Sequence, residues 1–565
     1  MNNIFVKNNN FKEANRISSL LKILLILLIL VTSSCEDALD KIPLTSYSDA
    51  VVWQDESLID AYIFNTYRVF PIGWNYMSVI CDENNRKNNA TIDAYNVGGM
   101  TPSHGDFYGL WNNVQNNGID GSGLRGAGYY PAIKRTNLFF ANIDNSDIDD
   151  AVKNRMIGEM KFLRAYAYFK LSNLYGGVPL VTRTYELNDD FAVARSSYEE
   201  CMEFVVNELD EAANLLPLTY STDEIGRITK GAAMAAKARA LLYIASPLHN
   251  PGNDQSKWQK AEAATKAVID LGIYELYPDY RESYLETALY NSEIIWNRLF
   301  NNQLFYENQI PDLSHQPNGY HGFAHVVPLH NMVQCYEMTS GLLPLDDPDY
   351  DPQNPYVNRD PRFYESILYN GAPFQHREVE CFLPGGQDSQ EGPIATWNAS
   401  ITSYYVRKFL NESIVAPSGS NNGSTPFPHL RYNEVLLNYA EIKYYQGDEA
   451  TCREYINKIR SRPSVNMPPV TESGEALLER LRNERKVELY MEEHRWFDVR
   501  RWKIAPEVLD VDAERMDVWK DPQTGNITYT VQVFQPRDWY EKMWWLPIPQ
   551  DEIDKNPNLT QNPGY

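Results

Sequence analysis

Apolar-faced segments of helical period that stop abruptly recur along this chain, and they restrict it to packed helices. Between Ala151 and Leu174, the residues Met156, Met160, Leu163, Ala167 and Leu171 recur at three- and four-residue spacing, which puts them on one helical face. Gly176-Gly177 and Pro179 follow at once, the residues that close a helix and forbid its continuation. Ser197–Leu215 stops at Pro217, and Lys230–Ser246 has the strongest helix composition of the chain because it is rich in alanine. Lys257–Leu271 lies across a Pro-Gly-Asn turn from it. Tyr432–Gln446 and Glu449–Ser461 flank Gly447-Asp448, and after Ser473-Gly474 the stretch Glu475–Asp498 reads as one long charged helix. Near the start, Val52, Ile59, Tyr62, Ile63 and Tyr67 predict a helix within Tyr47–Phe70.

Antiparallel helix pairs of about 34 residues resemble tetratricopeptide repeats, with a plain helical bundle as the alternative. The expected fold is mainly α, with tetratricopeptide-like helix pairs forming a scaffold and a loop-rich, irregular portion packed against it. That portion comes in two stretches. Pro71–Tyr130 is rich in glycine and asparagine yet carries Trp74, Tyr76, Tyr95, His104, Tyr108 and Trp111, too many aromatic residues for a disordered segment. Asn301–Asn422 is rich in Pro, Gly and Asn and holds few long helices.

The N-terminus carries an apolar run of 12 residues, Leu20–Val31, behind Lys7, Lys12, Arg16 and Lys22 and a single acid, Glu13. A basic region, a short apolar region and small residues make a secretory signal; a spanning helix needs about 20 residues. Cys35 directly follows Thr32-Ser33-Ser34 and resembles the lipid-attachment cysteine of bacterial lipoproteins. The chain therefore divides into a signal (1–34), a lipidated tether (35–46), an N-terminal part with helix pairs and aromatic loops (47–290) and a C-terminal part (291–565).

The 565 residues carry a formal net charge of −24, and the cationic leader makes the remainder more negative still. Such a surface repels nucleic-acid phosphates and anionic lipid heads, so no nucleic-acid partner is expected, whereas a neutral sugar is compatible. The six cysteines show no CxxC or metal-ligand spacing and read as free thiols rather than a disulfide framework. The 12 Trp and 38 Tyr supply flat apolar faces with a polar edge, a surface that suits a sugar ring as well as a protein core.

Arg482–Trp502 (RNERKVELYMEEHRWFDVRRW) resembles the long-helix signature of the SusD/RagB family, and Leu546–Tyr565 (LPIPQDEIDKNPNLTQNPGY) resembles that family's ending. Arg431–Glu441, Asn358–Arg362, Asn291–Trp296 and Phe162–Phe169 ahead of Gly176-Gly-Val-Pro179 fit it too. The resemblance implies an outer-membrane lipoprotein of Bacteroidetes. Such a protein is lipid-anchored, faces outward, and delivers captured nutrient, most often glycan, to a SusC-like TonB-dependent transporter. Glu36-Asp37 resembles the acidic signal that directs such lipoproteins outward. Arg485, Glu488, Glu492 and Arg495 stand at helical spacing for ion pairs along their own helix. Trp496 and Phe497 are expected in the core, and Trp544, Trp545, Leu546, Ile548 and Ile553 are expected to tie down the tail.

No P-loop, HExxH or GxSxG occurs. Gly121–Gly126 matches GxGxxG without the preceding strand that a dinucleotide site needs. Asp347–Asp351 imitates an EF-hand start, but Pro352 and Asn358 replace the required glycine and glutamate. His315, His321, His325 and His330 cluster where Pro317, Gly319 and Gly322 break any helix that would align them for a metal. No cofactor, metal or catalytic residue is expected. Exposed loop aromatics with amide and carboxylate neighbours remain as ligand candidates: Trp74, Asn75, Tyr76, Asp82, Tyr108, Trp111 and Asn112 early, Tyr320, His321 and Trp397 later. A peptide ligand, a secreted glycosidase and a ligand-free helical adaptor are the competing readings.

Overall fold

The computed structural model describes residues 49–70, 77–87, 89–112, 128–300 and 311–565. The signal, Cys35 and the tether lie outside these residues, as do Trp74, Asn75, Tyr76 and the Gly121–Gly126 motif. The chain forms two compact units, one of residues up to Ile59 with Asn145–Ile148, the other of all the rest. Within the first, Gln54 Nε2 donates to the Asn145 carbonyl at 2.9 Å. The single helix expected over Tyr47–Phe70 is two, α1 (Asp49–Val52) and α2 (Glu56–Val69). The Asp55 carboxylate accepts from the Leu58 N–H at 3.1 Å, a cap that starts a second helix.

The second unit holds α3 (Tyr129–Asn142), α4 (Asp150–Tyr175), α5 (Tyr198–Leu215), α6 (Lys230–Ala245) and α7 (Gln255–Ile269). Side chains expected only to flank these helices cap them. Asp149 accepts from the N–H groups of Ala151 and Val152, Ser197 and Glu200 form a capping box, and Thr229 and Asp254 open α6 and α7. Gly176 ends α4 at φ +78°, and a Cβ on Gly177 would lie 2.0 Å from the Ser196 carbonyl oxygen. Each helix from α3 to α7 packs on the next. After a long insert, α8 (Tyr432–Tyr445) docks on α7 and packs with α9 (Glu449–Arg460) and α10 (Gly474–Glu488) around Leu437, Ile456, Leu477 and Leu481. This is the expected scaffold of helix pairs.

The long helix expected over Glu475–Asp498 is not continuous. α10 ends at Glu488, Met491 and Glu493 take φ of +65° and +62°, and α11 (Arg495–Arg501) restarts the helix. None of the expected pairs along the helix forms, and the break separates Glu492 and Arg495 from the helix that carries Arg485 and Glu488. Arg485 bonds Asp498, Glu488 bonds Arg362 and Arg462, Glu492 bonds Arg431 and Lys408, and Arg495 bonds Asp82. All are buried or nearly so.

Strands appear only as two-stranded pieces among the described residues: β1 (Asn84–Arg86), β2 (Ile294–Arg298), β3 (Val326–Pro328), β4 (Phe427–Arg431), β5 (Ala513–Lys520) and β6 (Ile527–Gln535), with shorter ribbons between. β1 pairs with β3, β2 with β4 and β5 with β6, all antiparallel. Trp496 and Phe497 are buried as expected, and the C-terminal tail is held by buried Leu546 and Ile548 and by Asn562 Nδ2, which donates to the carbonyls of Tyr175 and Leu546. Cys81, Cys201, Cys335, Cys381 and Cys452 are unbridged. No described helix is long and apolar enough to cross a membrane.

Candidate functional site

Several residues expected at a ligand are built into the interior instead. Trp111 is only 3% exposed, its ring 5.0 Å from Tyr130 and 4.9 Å from Tyr175. Its N–H and that of Asn112 both bond the Asp106 carboxylate, at 2.9 and 2.7 Å. Burial pushes Asp106 up to about 7 despite those donors. Tyr108 lies in the short turn Phe107–Gly109. Asp82 receives Lys486 Nζ at 2.8 Å and Arg495 Nε and Nη2 at 2.8 Å each. Burial raises its pKa, but the two cations outweigh that and hold it far below the usual carboxylate range. Tyr320 is 2% exposed, with its hydroxyl within reach of the Phe374 and Arg377 carbonyls and the Arg377 guanidinium 3.9 Å over its ring. Aromatic and charged side chains of this size fill a core as readily as they bind a ligand, and burial decides between the two.

Among the candidates whose side chains are described, two are exposed. His321 is exposed in a left-handed conformation (φ +71°) that closes the turn Asn318–Tyr320. Trp397 sits in the turn Thr396–Asn398 with 72% of its surface in solvent. That turn is firmly held. Asn398 N–H donates to the Ala395 carbonyl at 2.8 Å, Asn318 Nδ2 to the Ile394 carbonyl at 2.8 Å, and Lys87 Nζ to the Trp397 carbonyl at 2.8 Å. An indole that faces water on so fixed a backbone offers a stacking surface at small entropic cost.

Lys87 connects this turn to β1. In the β1–β3 ladder Arg86 lies opposite Val326, the neighbour of His325 in the chain, and its cation acts on that imidazole. Phe323 is 39% exposed and its ring centroid lies 5.2 Å from that of His325. Burial, with help from the Arg86 cation, lowers His325 to about 4, so it is neutral at pH 7 and able both to donate and to accept. A large exposed indole with an ammonium group bound to its turn is thus linked through β1 to a smaller aromatic pair that includes a neutral imidazole. It can stack the C–H face of a ring and hydrogen-bond its hydroxyls.

Neither Arg86, Lys87 nor Phe323 was picked out from the sequence, and His325 drew notice only as one of four histidines. Nothing local marks them, because their proximity depends on a strand pairing between distant parts of the chain. The four histidines do not converge: His315 and His330 are buried, and His330 Nδ1 lies 2.9 Å from the Tyr404 hydroxyl. Among the described residues no three His, Cys, Asp or Glu side chains gather as a metal site. Asp347 and Asp351 accept hydrogen bonds from the N–H groups of Asp349 and Gln353, as turn-forming carboxylates do.

A scaffold of stacked helix pairs with its loops and short ribbons in long inserts defines a helical-repeat protein whose exposed loops are free for recognition. The chain belongs to the SusD family: residues 292–565 match the model described as SusD family, and residues 39–242 match one described as starch-binding, associating with the outer membrane. It is similar to a SusD-like protein of Bacteroides fragilis NCTC 9343, at 28% identity and TM-score 0.77, over 93% of this chain and 100% of that one. A SusD-like carbohydrate-binding protein from the same organism matches at 28% identity and TM-score 0.76, over 90% and 100% of the two chains. A SusD-like protein of Formosa agariphila is 24% identical over 77% of this chain and 79% of its own length.

Proposed function

We propose that this protein is a non-catalytic glycan receptor of the cell surface. It is held in the outer membrane by lipid on Cys35, faces outward, and passes oligosaccharide or polysaccharide to a partner SusC-like TonB-dependent transporter. The observation that carries the reading is the exposed Trp397 indole on a turn braced by Lys87 and Asn318. Membership of the SusD family and likeness to a carbohydrate-binding relative support it. Binding requires no bond to be made or broken: the ring stacks on Trp397 while Lys87, Asn398, His321 and His325 are placed to meet hydroxyl groups.

Affinity electrophoresis of the purified protein across a polysaccharide panel tests this. The wild type is expected to be retarded by at least one glycan, and Trp397→Ala to weaken that binding about two- to tenfold, since stacking on one aromatic ring is worth about 0.5–1.5 kcal/mol. Unaltered binding by Trp397→Ala would remove the platform from the argument. Release of new reducing ends during incubation would instead establish a hydrolase.

A further inference from the structure

We propose that the Trp397 platform selects acidic glycans, with Lys87 receiving the carboxylate or sulfate of a sugar stacked on the indole. The inference rests on the glycan-binding reading and adds the charge of the ligand.

The arrangement around Lys87 is unusual for this chain. Its Nζ donates to the Trp397 carbonyl at 2.8 Å, which fixes the ammonium group in the turn that carries the indole and leaves its other two donors for a ligand. No carboxylate among the described residues pairs with it, and burial alone lowers its pKa. Next to it, the ladder sets Arg86 beside His325. The Arg86 cation acts on both His325 and His315. Among the described residues no acidic group acts on Lys87, His315 or His325, although the chain has 75 acidic residues against 51 Lys and Arg.

An ammonium group taken partly out of water without a counter-charge loses solvation that nothing in the protein restores. An anionic ligand restores it through charge-assisted hydrogen bonds, and a neutral sugar does so only in part. The strongly negative remainder of the molecule does not forbid this. At physiological ionic strength, charges more than about 8 Å away are largely screened, so the local basic cluster sets the field at the indole. The expectation from net charge alone, a neutral ligand, is thereby reversed for this one place on the surface.

The test compares a polyuronate, a sulfated galactan and a neutral β-glucan of matched length by titration calorimetry. Wild-type protein is expected to bind at least one of the two anionic polymers more tightly than the neutral one, and to lose that preference as salt is raised. Lys87→Gln should weaken the anionic polymer about tenfold, as loss of one charge-assisted hydrogen bond does, and weaken the neutral glucan clearly less, while an unchanged melting temperature shows that the variant is folded. Whether the polyuronate or the sulfated polymer is preferred identifies the anionic group. If the neutral glucan binds as tightly as either and Lys87→Gln changes nothing, the charge inference is overturned while the glycan receptor stands. If none of the three binds, the receptor reading itself fails and takes this inference with it.

Discussion

Glu488 has no solvent exposure, yet it is ionised. Its carboxylate meets Arg462 Nη2 at 2.8 Å, Arg362 Nη1 at 3.0 Å and Asn433 Nδ2 at 2.9 Å. Burial raises its pKa; the Arg462, Arg362 and Arg431 cations outweigh that and bring it down to about 2. Removing one partner from a buried ion cluster leaves uncompensated charge, which costs far more than the cluster gains over an apolar core. Glu488→Ala is therefore expected to destabilise the protein by about 3–5 kcal/mol, and Glu488→Gln, which keeps the shape and one acceptor, by less. Urea denaturation followed by tryptophan fluorescence checks this; a loss below about 1 kcal/mol, within the range of an ordinary surface substitution, would sink it. The sequence showed that this residue is charged and stands in a helix. Its partners were not legible, because they come from other elements of the fold.

Elements were legible where the chemistry is local. Glycine, proline and short polar caps marked the ends of α4 to α9 to within one or two residues of the structure, since capping uses neighbours in the chain. The break within Glu475–Asp498 carried no such mark: Met491 and Glu493 are not residues that announce a left-handed conformation. The strand pairing that builds the Trp397 surface joins distant segments and left no periodic trace. The same limit applies to the joint between α7 and α8, which an insert separates. There Trp258 is 1% exposed, stacks on Tyr445 with centroids 4.4 Å apart, and donates from Nε1 to Asn253 Oδ1 at 2.8 Å. Trp258→Ala removes the ring that fastens one helix pair to the next and should cost about 3–5 kcal/mol. Trp258→Phe should cost clearly less, because it keeps the stack and loses the hydrogen bond. Equal melting temperatures for the two variants would show that stacking does not hold this joint.

For the whole molecule, two opposed sets of buried groups set the pH of greatest stability. His249 and His315 are held near 3, His330 near 4, and His429 and His494 well below the ordinary value, in every case by burial first and by nearby cations second. These five stay neutral in the fold but take up protons when unfolded below about 6.5, so stability falls as the pH drops from 6.5 towards 4. Burial raises Glu83 to about 8 and Asp106 and Asp312 to about 7. Those three keep protons in the fold that the unfolded chain releases above about 4, so they act in the opposite sense, and their effect persists up to pH 7–8. Between pH 4.5 and 6.5 the five histidines outnumber the three carboxylates, and stability should rise with pH. Above 6.5 the histidines no longer contribute, the carboxylates still do, and repulsion within a chain of net charge −24 adds to the loss. The denaturation midpoint, measured from pH 4.5 to 8.5 at constant ionic strength, should therefore pass through a maximum between about 6 and 7. A midpoint that kept rising beyond pH 8 would mean that Glu83, Asp106 and Asp312 are already ionised in the folded protein.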